Sequence, residues 1–217
     1  MKSADRVFGS GLPRSFEVVA SLTGLVVLFP LMAISGAMII LTSRGGFMFR
    51  QKRVGRHGEM FVLYKLRTMR VANLGPFVTS KDDARITRVG RFLRQTKLDE
   101  LPTLWNVLKG DMALVGPRPE VSRYVKLEDS MWQAVLRVKP GITDPVTLQL
   151  RNEEDLLAQV KGDREAYYVS ELLPLKLKGY VAYLKGRSWR TDLRVLSQTV
   201  AAVLNPNHTK SSADFAD

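Results

Sequence analysis

From Val18 to Ser43 the chain reads VVASLTGLVVLFPLMAISGAMIILTS, 26 residues without one charged side chain. No other feature restricts the fold as strongly. As a straight helix this run would reach ~39 Å at 1.5 Å per residue, more than the hydrocarbon core of a bilayer. It is also longer than the apolar region of a signal peptide, about 7–15 residues. The segment therefore belongs in a membrane. Pro30 stands at its middle, where it removes a backbone donor and kinks a helix, and each half would then reach roughly 18 Å, near the bilayer midplane. Lys2, Arg6 and Arg14 precede the run, and Arg44, Arg50, Lys52, Arg53 and Arg56 follow it. Positive flanks stay cytoplasmic, and here both ends ask for that side. A helix that enters, bends at Pro30 and leaves by the same face satisfies both. A kinked spanning helix is equally compatible with these residues, because proline is tolerated there.

At 217 residues the chain has room for one domain with an appendage. It contains no cysteine, which excludes disulfides and thiolate metal sites, and its two histidines, His57 and His208, lie far apart. Chemistry must come from carboxylates and basic groups. The net charge of +12 is concentrated: residues 44–97 hold fourteen basic and three acidic side chains, a net of +11. Such a band wants a polyanion. With a membrane segment beside it, anionic lipid headgroups or a phosphorylated substrate are favoured over nucleic acid.

Beyond the apolar run, EMFVLYKLRTMR (Glu59–Arg70) reads as a strand leading into a basic turn. A loop is expected around Gly75-Pro76. A helix should follow with Asp82 and Asp83 in its first turn after Ser80, and with Ile86, Val89 and Leu93 on one face, which reads as an interfacial amphipathic helix. Val121 to about Val138 is expected to be helical, stopped by Lys139-Pro140-Gly141. GITDPVTLQLRNEEDLL reads as loop, short extended segment and loop, after which Glu153, Glu154 and Asp155 open a helical stretch. Two amphipathic helices follow, the second capped by Thr191 or Asp192. The polar tail from residue 205 is expected to be flexible.

The chemistry points to KLDELPTLWNVLKGDMALVGPRPE (Lys97–Glu120), where Asp99 and Glu100 are adjacent. Thr96 with Asp99 three residues on resembles a capping box, and Pro102 suits a first turn, so a helix is expected to start between Thr96 and Leu101 and run to about Leu108. One reading is that the acids simply cap that helix. The other is that one carboxylate attacks phosphorus while its neighbour holds Mg²⁺, a hard ion commonly bound through one or two carboxylates and substrate phosphates. Arg118, stiffened between two prolines, offers a planar fork for phosphate oxygens. Lys65, Arg67 and Arg70 are further phosphate candidates.

These residues resemble the bacterial sugar transferase family, the monotopic phosphoglycosyl transferases. The resemblance is carried by the kinked apolar helix, FRQKRVGRHGEMFVLYKLRTM (Phe49–Met69), TRVGRFLRQTKLDELPTLWNVLKGDMALVGPRPE (Thr87–Glu120), KPGIT (Lys139–Thr143) and SWRTDLRVL (Ser188–Leu196). It implies Asp99 as nucleophile on the β-phosphate of a nucleotide diphosphate sugar, most commonly a UDP-sugar, with Glu100 as the Mg²⁺ partner. Nucleoside monophosphate leaves, and polyprenyl phosphate then takes the phosphosugar by a ping-pong route. The resemblance also implies phosphate or nucleotide contacts at Lys65, Arg94, Arg118 and Arg151, a site-proximal acid at Asp192, and re-entry at Pro30.

The expected fold is α+β, mainly α: a re-entrant membrane helix hairpin within residues 1–45, a compact catalytic domain with interfacial helices and a small β element over 46–204, and a tail over 205–217. The expected location is the cytoplasmic face of a bacterial inner membrane, with anionic lipids as partners, no nucleic acid, and a homodimer left open. Departures from the family pattern are Phe29, where a serine often precedes the kink proline and where Ser21 or Thr23 offers a substitute hydroxyl, and DPVTLQLRNEED in place of the usual segment after Thr143. The multi-pass membrane region of longer members is not expected here. Two other classes compete: a glycosyltransferase that moves only the sugar, and a non-enzymatic lipid- or nucleic-acid-binding protein.

Overall fold

The computed structural model describes residues 8–70 and 78–205. The expectations for Gly75-Pro76 and for the tail beyond Asn205 lie outside the described residues. The chain is mainly helical with two small sheets. The apolar run forms α1 (Arg14–Thr42), one helix with Pro30 inside it. Its mean hydropathy reaches 2.5 over the most apolar window, and only 17% of that window is buried within the protein. The buried positions Glu17, Ser21, Ser35, Gly36 and Ile39 lie near the two ends, while Val26, Val27, Phe29 and Leu31 at the centre are exposed. Ser21 Oγ is buried without a hydrogen-bond partner, so it does not supply the hydroxyl expected beside the proline.

Both ends of α1 are clamped to the rest of the chain. At the start, Arg14 donates to Leu108 O (2.9 Å) and Glu17 Oε1 accepts from Leu114 N (3.0 Å). At the end, the Arg67 guanidinium donates to the carbonyls of Ser43, Arg44, Gly45 and Gly46 at 2.6–3.1 Å. Helix C-termini leave carbonyls without intrahelical partners, and one fork satisfies this cluster. Arg67 is thus a buried structural clamp and not a phosphate ligand.

After α1, β1 (Met48–Val54) pairs antiparallel with β2 (Met60–Leu66). Only the second strand was expected from its pattern; β1 is interrupted by charges at alternate positions and hides its strand character. The next helix is α2 (Arg88–Gln95), capped by Thr87, whose hydroxyl accepts from Gly90 N. It starts later than expected, because Asp82 and Asp83 are held in turns by Arg164 and Arg85. The face that carries Val89 and Leu93 packs within the protein: Leu93 meets Ile39 and Leu66, joined by Val89, while Phe92 stays exposed. Burying such a side chain stabilises by about 1.5–3 kcal/mol, here tying the apolar helix to the β hairpin.

Helix α3 (Thr103–Lys109) ends at Gly110, whose φ of 94° terminates it at little steric cost. Strand β3 (Ala113–Val115) runs parallel to β4 (Gly141–Thr143), and the backbones of Gly116 and Gly141 are so close that a Cβ on Gly141 would lie 2.1 Å from Gly116 N. This contact joins the GPRP turn to the KPGIT turn. The long helix expected after Pro119 is replaced by a 3₁₀ turn (Ser122–Tyr124) and the short α4 (Ser130–Val135), because Asp129 caps a fresh start through Met131 N and Trp132 N. Asp144 likewise caps α5 (Pro145–Gln149), a helix where loop and a short extended segment were expected. Helices α6 (Glu153–Gln159) and α7 (Arg164–Tyr167), a π-helical turn (Tyr168–Leu172), α8 (Leu173–Lys185) and α9 (Trp189–Leu204) complete the chain. Ser188 caps α9, one turn before the expected residues.

Two larger cores hold these elements. One gathers Trp132, Val135, Val146, Leu157, Leu177 and Tyr180 from α4, α5, α6 and α8. The other gathers Leu63, Val107, Leu114, Val115 and Val195 from β2, α3, β3 and α9. The catalytic candidates lie where β2, α3 and the β3–β4 turns meet.

Candidate active site

Asp99 and Glu100 do not begin a long helix. Lys97 takes a left-handed conformation (φ 58°), reversing the chain after α2, and the acids occupy a single 3₁₀ turn, Leu98–Glu100. The expected capping box does not form. The Thr96 hydroxyl points backward and donates to Phe92 O at 2.8 Å, closing α2. The acids are therefore free of capping duty. Their position is set from below by Asn106, fully buried, which accepts from Tyr64 N (3.1 Å) and donates to Val62 O (2.6 Å), fastening α3 to β2. Thr103 Oγ1 donates to Glu100 O at 2.5 Å and holds the turn itself.

This packing brings Lys65 from β2 and Arg118 from the proline turn onto one carboxylate. Lys65 Nζ lies 2.8 Å from Glu100 Oε1, and Arg118 Nη2 lies 2.5 Å from the same oxygen. A second Arg118 nitrogen reaches Glu100 Oε2 at 3.4 Å. Burial pushes the Glu100 carboxyl up, but Arg118 and Lys65 overcome it and hold Glu100 well below the usual carboxylate range. Asp99 is different. Only 6% of it is exposed, and its Oδ1 is buried without a hydrogen-bond partner. Burial and the neighbouring Glu100 charge push its carboxyl up to about 6, against the pull of Lys65, Arg94 and Lys97. Two adjacent acids thus have opposite environments: one neutralised by fixed cations, the other unpaired and more basic.

Beside Glu100 a cavity of ≈ 20 Å³ is lined by Arg53, Lys65, Arg118 and Gly141 among others. That volume holds about one water. Arg53 is the residue here that the sequence did not single out for the site; its position on alternating β1 was the available signal. The remaining expected residues are distributed otherwise. Arg94 is ion-paired with Glu154 and donates to Thr68, yet it is among the cations that act on Asp99. Arg151 has a buried Nη1 without a partner. Asp192 is fully buried, and its oxygens accept from Leu12 N, Tyr183 Oη and Arg187, so it braces the start of the chain against α9. None of those contacts reaches the acid pair.

A hard cation fits this donor set in part. Among the described residues no group of three or more histidine, cysteine or acidic side chains is assembled, so protein ligation would come from the adjacent carboxylates. The unpartnered Asp99 Oδ1 is suited to a cation, whereas both Glu100 oxygens already accept from Lys65 or Arg118. Such a sparse set matches Mg²⁺, which keeps waters and takes substrate phosphate oxygens as further ligands.

The family model for bacterial sugar transferases matches residues 9–206. The chain belongs to the bacterial sugar transferase family. Among curated relatives, UDP-glucose:undecaprenyl-phosphate glucose-1-phosphate transferase of Caulobacter vibrioides is 36% identical over 200 residues, covering 90% of this chain and 70% of that protein. Undecaprenyl-phosphate galactose phosphotransferase of Salmonella typhimurium is 36% identical over 212 residues, covering 89% of this chain and 40% of the relative. Exopolysaccharide production protein ExoY of Sinorhizobium fredii is 30% identical over 217 residues, covering 92% and 88%. The chain thus spans most of some relatives and less than half of others. Membership makes it a sugar transferase, and the matched region contains the acid pair, both cations on Glu100 and the whole of α1.

Proposed function

We propose that this sugar transferase moves a sugar-1-phosphate from a nucleotide diphosphate sugar to polyprenyl phosphate through a phosphosugar carried on Asp99. In the first step an Asp99 carboxylate oxygen attacks the β-phosphorus and forms a P–O bond. The bond from that phosphorus to the bridging oxygen breaks, and nucleoside monophosphate leaves with the electron pair. In the second, an oxygen of polyprenyl phosphate attacks the same phosphorus. The Asp99–phosphorus bond breaks, restoring the carboxylate and releasing polyprenyl diphosphate-sugar. The observation that carries this reading is the contrast within the pair: Asp99 keeps a buried oxygen unpartnered while Glu100 is ion-paired on both oxygens. A carboxylate held near a pKa of about 6 is both ionised at neutral pH and more basic than an exposed aspartate.

The fixed cations act where charge develops. Arg118 and Lys65, held beside the acid pair by Glu100, would offer their remaining donors to the phosphates. The resemblance gives Mg²⁺ to Glu100; with both of its oxygens engaged, the ion would replace one of those contacts and neutralise diphosphate charge, leaving Asp99 to attack. Arg94 and Arg151 are assigned to phosphate or nucleotide contact, Arg94 by its field at Asp99 and Arg151 by its unpartnered nitrogen. The relatives' names cite glucose, galactose and N-acetylgalactosamine, all as undecaprenyl-phosphate transferases. They support the acceptor class and leave the sugar to experiment.

The same reading places residues 1–45 in the membrane as a re-entrant segment and 46–204 on its cytoplasmic face. Two features support re-entry over spanning. Both ends of α1 are clamped to the catalytic unit, through Arg14 and Glu17 at one end and Arg67 at the other. Pro30 sits between them on an exposed face, at a position where proline favours a bend. Exposed Phe92, Trp105, Trp189, Leu193 and Val200, with nearby arginines such as Arg91, Arg190 and Arg194, suit an anionic lipid surface.

The test is product identity. Nanodisc-held protein with Mg²⁺, polyprenyl phosphate and a panel of UDP-sugars should release UMP with at least one donor. Release of UDP would replace this reading by transfer of the sugar alone.

A further inference from the structure

Outside the acid pair, the described residues contain a second dense cluster of buried charge. Lys176 on α8 is 3% exposed, set among Leu173, Leu177 and Tyr180 on a face that otherwise packs the core. Its ammonium lies 3.3 Å from Glu120 Oε1 and 3.3 Å from Glu153 Oε2, and donates to Tyr168 Oη at 3.1 Å. Tyr168 in turn donates to Glu120 Oε1 at 2.6 Å. Glu120 closes the proline turn: its backbone carbonyl accepts from Val54 N (2.9 Å), and its Oε2 lies 3.6 Å from Arg53, which donates to Pro119 O (2.9 Å). Arg118 lies inside that turn, and Glu153 is near enough to act on its charge as well.

Two carboxylates act on Arg118: Glu100, in direct contact with it, and Glu153, which acts through its charge. Lys176 occupies the second. We propose that Lys176 is a positioning residue for phosphate recognition: by holding Glu153 and Glu120 it leaves Arg118 directed at Glu100, in the orientation the transfer needs. This inference rests on the acid pair being the site of transfer. Without the ammonium, Glu153 loses the cation that holds it and draws on Arg118, while Glu120 loses a buried neutralising partner and the proline turn loosens. A buried carboxylate stripped of its cation is costly, so the cluster has a direction: it relaxes toward whichever cation remains.

The experiment uses the full chain in nanodiscs with the UDP-sugar that supports UMP release. Lys176→Met should lower kcat/KM by ~10–100-fold, the scale seen when supporting partners of a ligand-binding group are removed, and Lys176→Arg should restore most of it. Adding Glu153→Gln to Lys176→Met should also recover activity, since it removes the competing carboxylate; this pair keeps the test open should Lys176→Met alone fold poorly. In an Arg118→Ala background Lys176→Met should have little further effect, because the two act as one unit. Equal losses from Lys176→Met with and without Arg118, or no recovery with Glu153→Gln, would overturn the inference while leaving the acid-pair reading intact. A wild-type chain that releases UDP in place of UMP removes that reading, and this inference with it.

Discussion

At the scale of residues, adjacency matters because it places two like groups in unlike surroundings. Glu100 is stabilised as an anion by Arg118 and Lys65 and so is inert as a base; Asp99 bears the cost of that charge and of its own burial. Asp99→Asn should therefore abolish nucleotide release while leaving the protein bound to membranes. It should also stabilise the fold. The folded carboxyl is raised from 3.8 to about 6, so between those values the folded state holds more protons than the unfolded chain, and stability falls as pH rises through that window. The wild type should lose on the order of 1–3 kcal/mol across it, and the asparagine variant should not show that loss. Melting temperature against pH for both proteins checks the sign. The pH–rate profile of the wild type should rise through about 6 as the nucleophile ionises. The acid pair and Arg118 were legible because they stand in an unusual local run. Lys176 was not, although a lysine between Leu173, Leu177 and Tyr180 on one helical face is the kind of misfit that signals a buried partner.

At the scale of elements, the site depends on short pieces held by side chains. Asn106 joins α3 to β2, and Asn106→Ala would leave Tyr64 N and Val62 O without their partners. A loss of about 2–4 kcal/mol in unfolding free energy is expected, since each buried unsatisfied group costs about 1–3 kcal/mol, together with a fall in activity as Lys65 drifts from Glu100. Chemical denaturation and a donor-dependence curve measure both. Element type was legible where apolar periodicity was long: α1, β2, α8 and α9. It failed where a polar side chain decided the outcome locally. Asp129 restarted a helix expected to be continuous, Asp144 capped one where loop and a short extended segment were expected, and Thr96 closed α2 when it was expected to open the next helix. Serine, threonine and aspartate bond backbone on either side of themselves, and sequence alone does not say which side wins.

At the scale of the whole molecule, the apolar helix and the catalytic unit are one structure. Ile39 packs with Leu66 and Leu93, Glu17 supplies the acceptor for Leu114 N, and Arg67 closes the far end. With α1 re-entering as proposed, this join would keep the acid pair close to the membrane surface, where a soluble nucleotide sugar and a lipid phosphate could both arrive. The chain has no cysteine, so single cysteines at exposed Ser15 and Gly46 report topology cleanly. In sealed, oriented vesicles an impermeant maleimide should label both positions from the same side; labelling from opposite sides would establish a spanning helix. The long apolar helix was legible from 26 uncharged residues, whereas the clamping of both its ends was not, because Arg67 looked like one more member of a basic band.

The central claim is that phosphorus is passed through Asp99, and it is tested most directly by withholding the acceptor. Protein at high concentration is mixed with Mg²⁺ and the active UDP-sugar but no polyprenyl phosphate, and nucleotide products are counted against enzyme. A rapid burst of UMP approaching one equivalent, absent in Asp99→Asn and followed by turnover only when polyprenyl phosphate is added, is the predicted result. No UMP until the acceptor is present would contradict a covalent intermediate and require direct transfer between the two substrates.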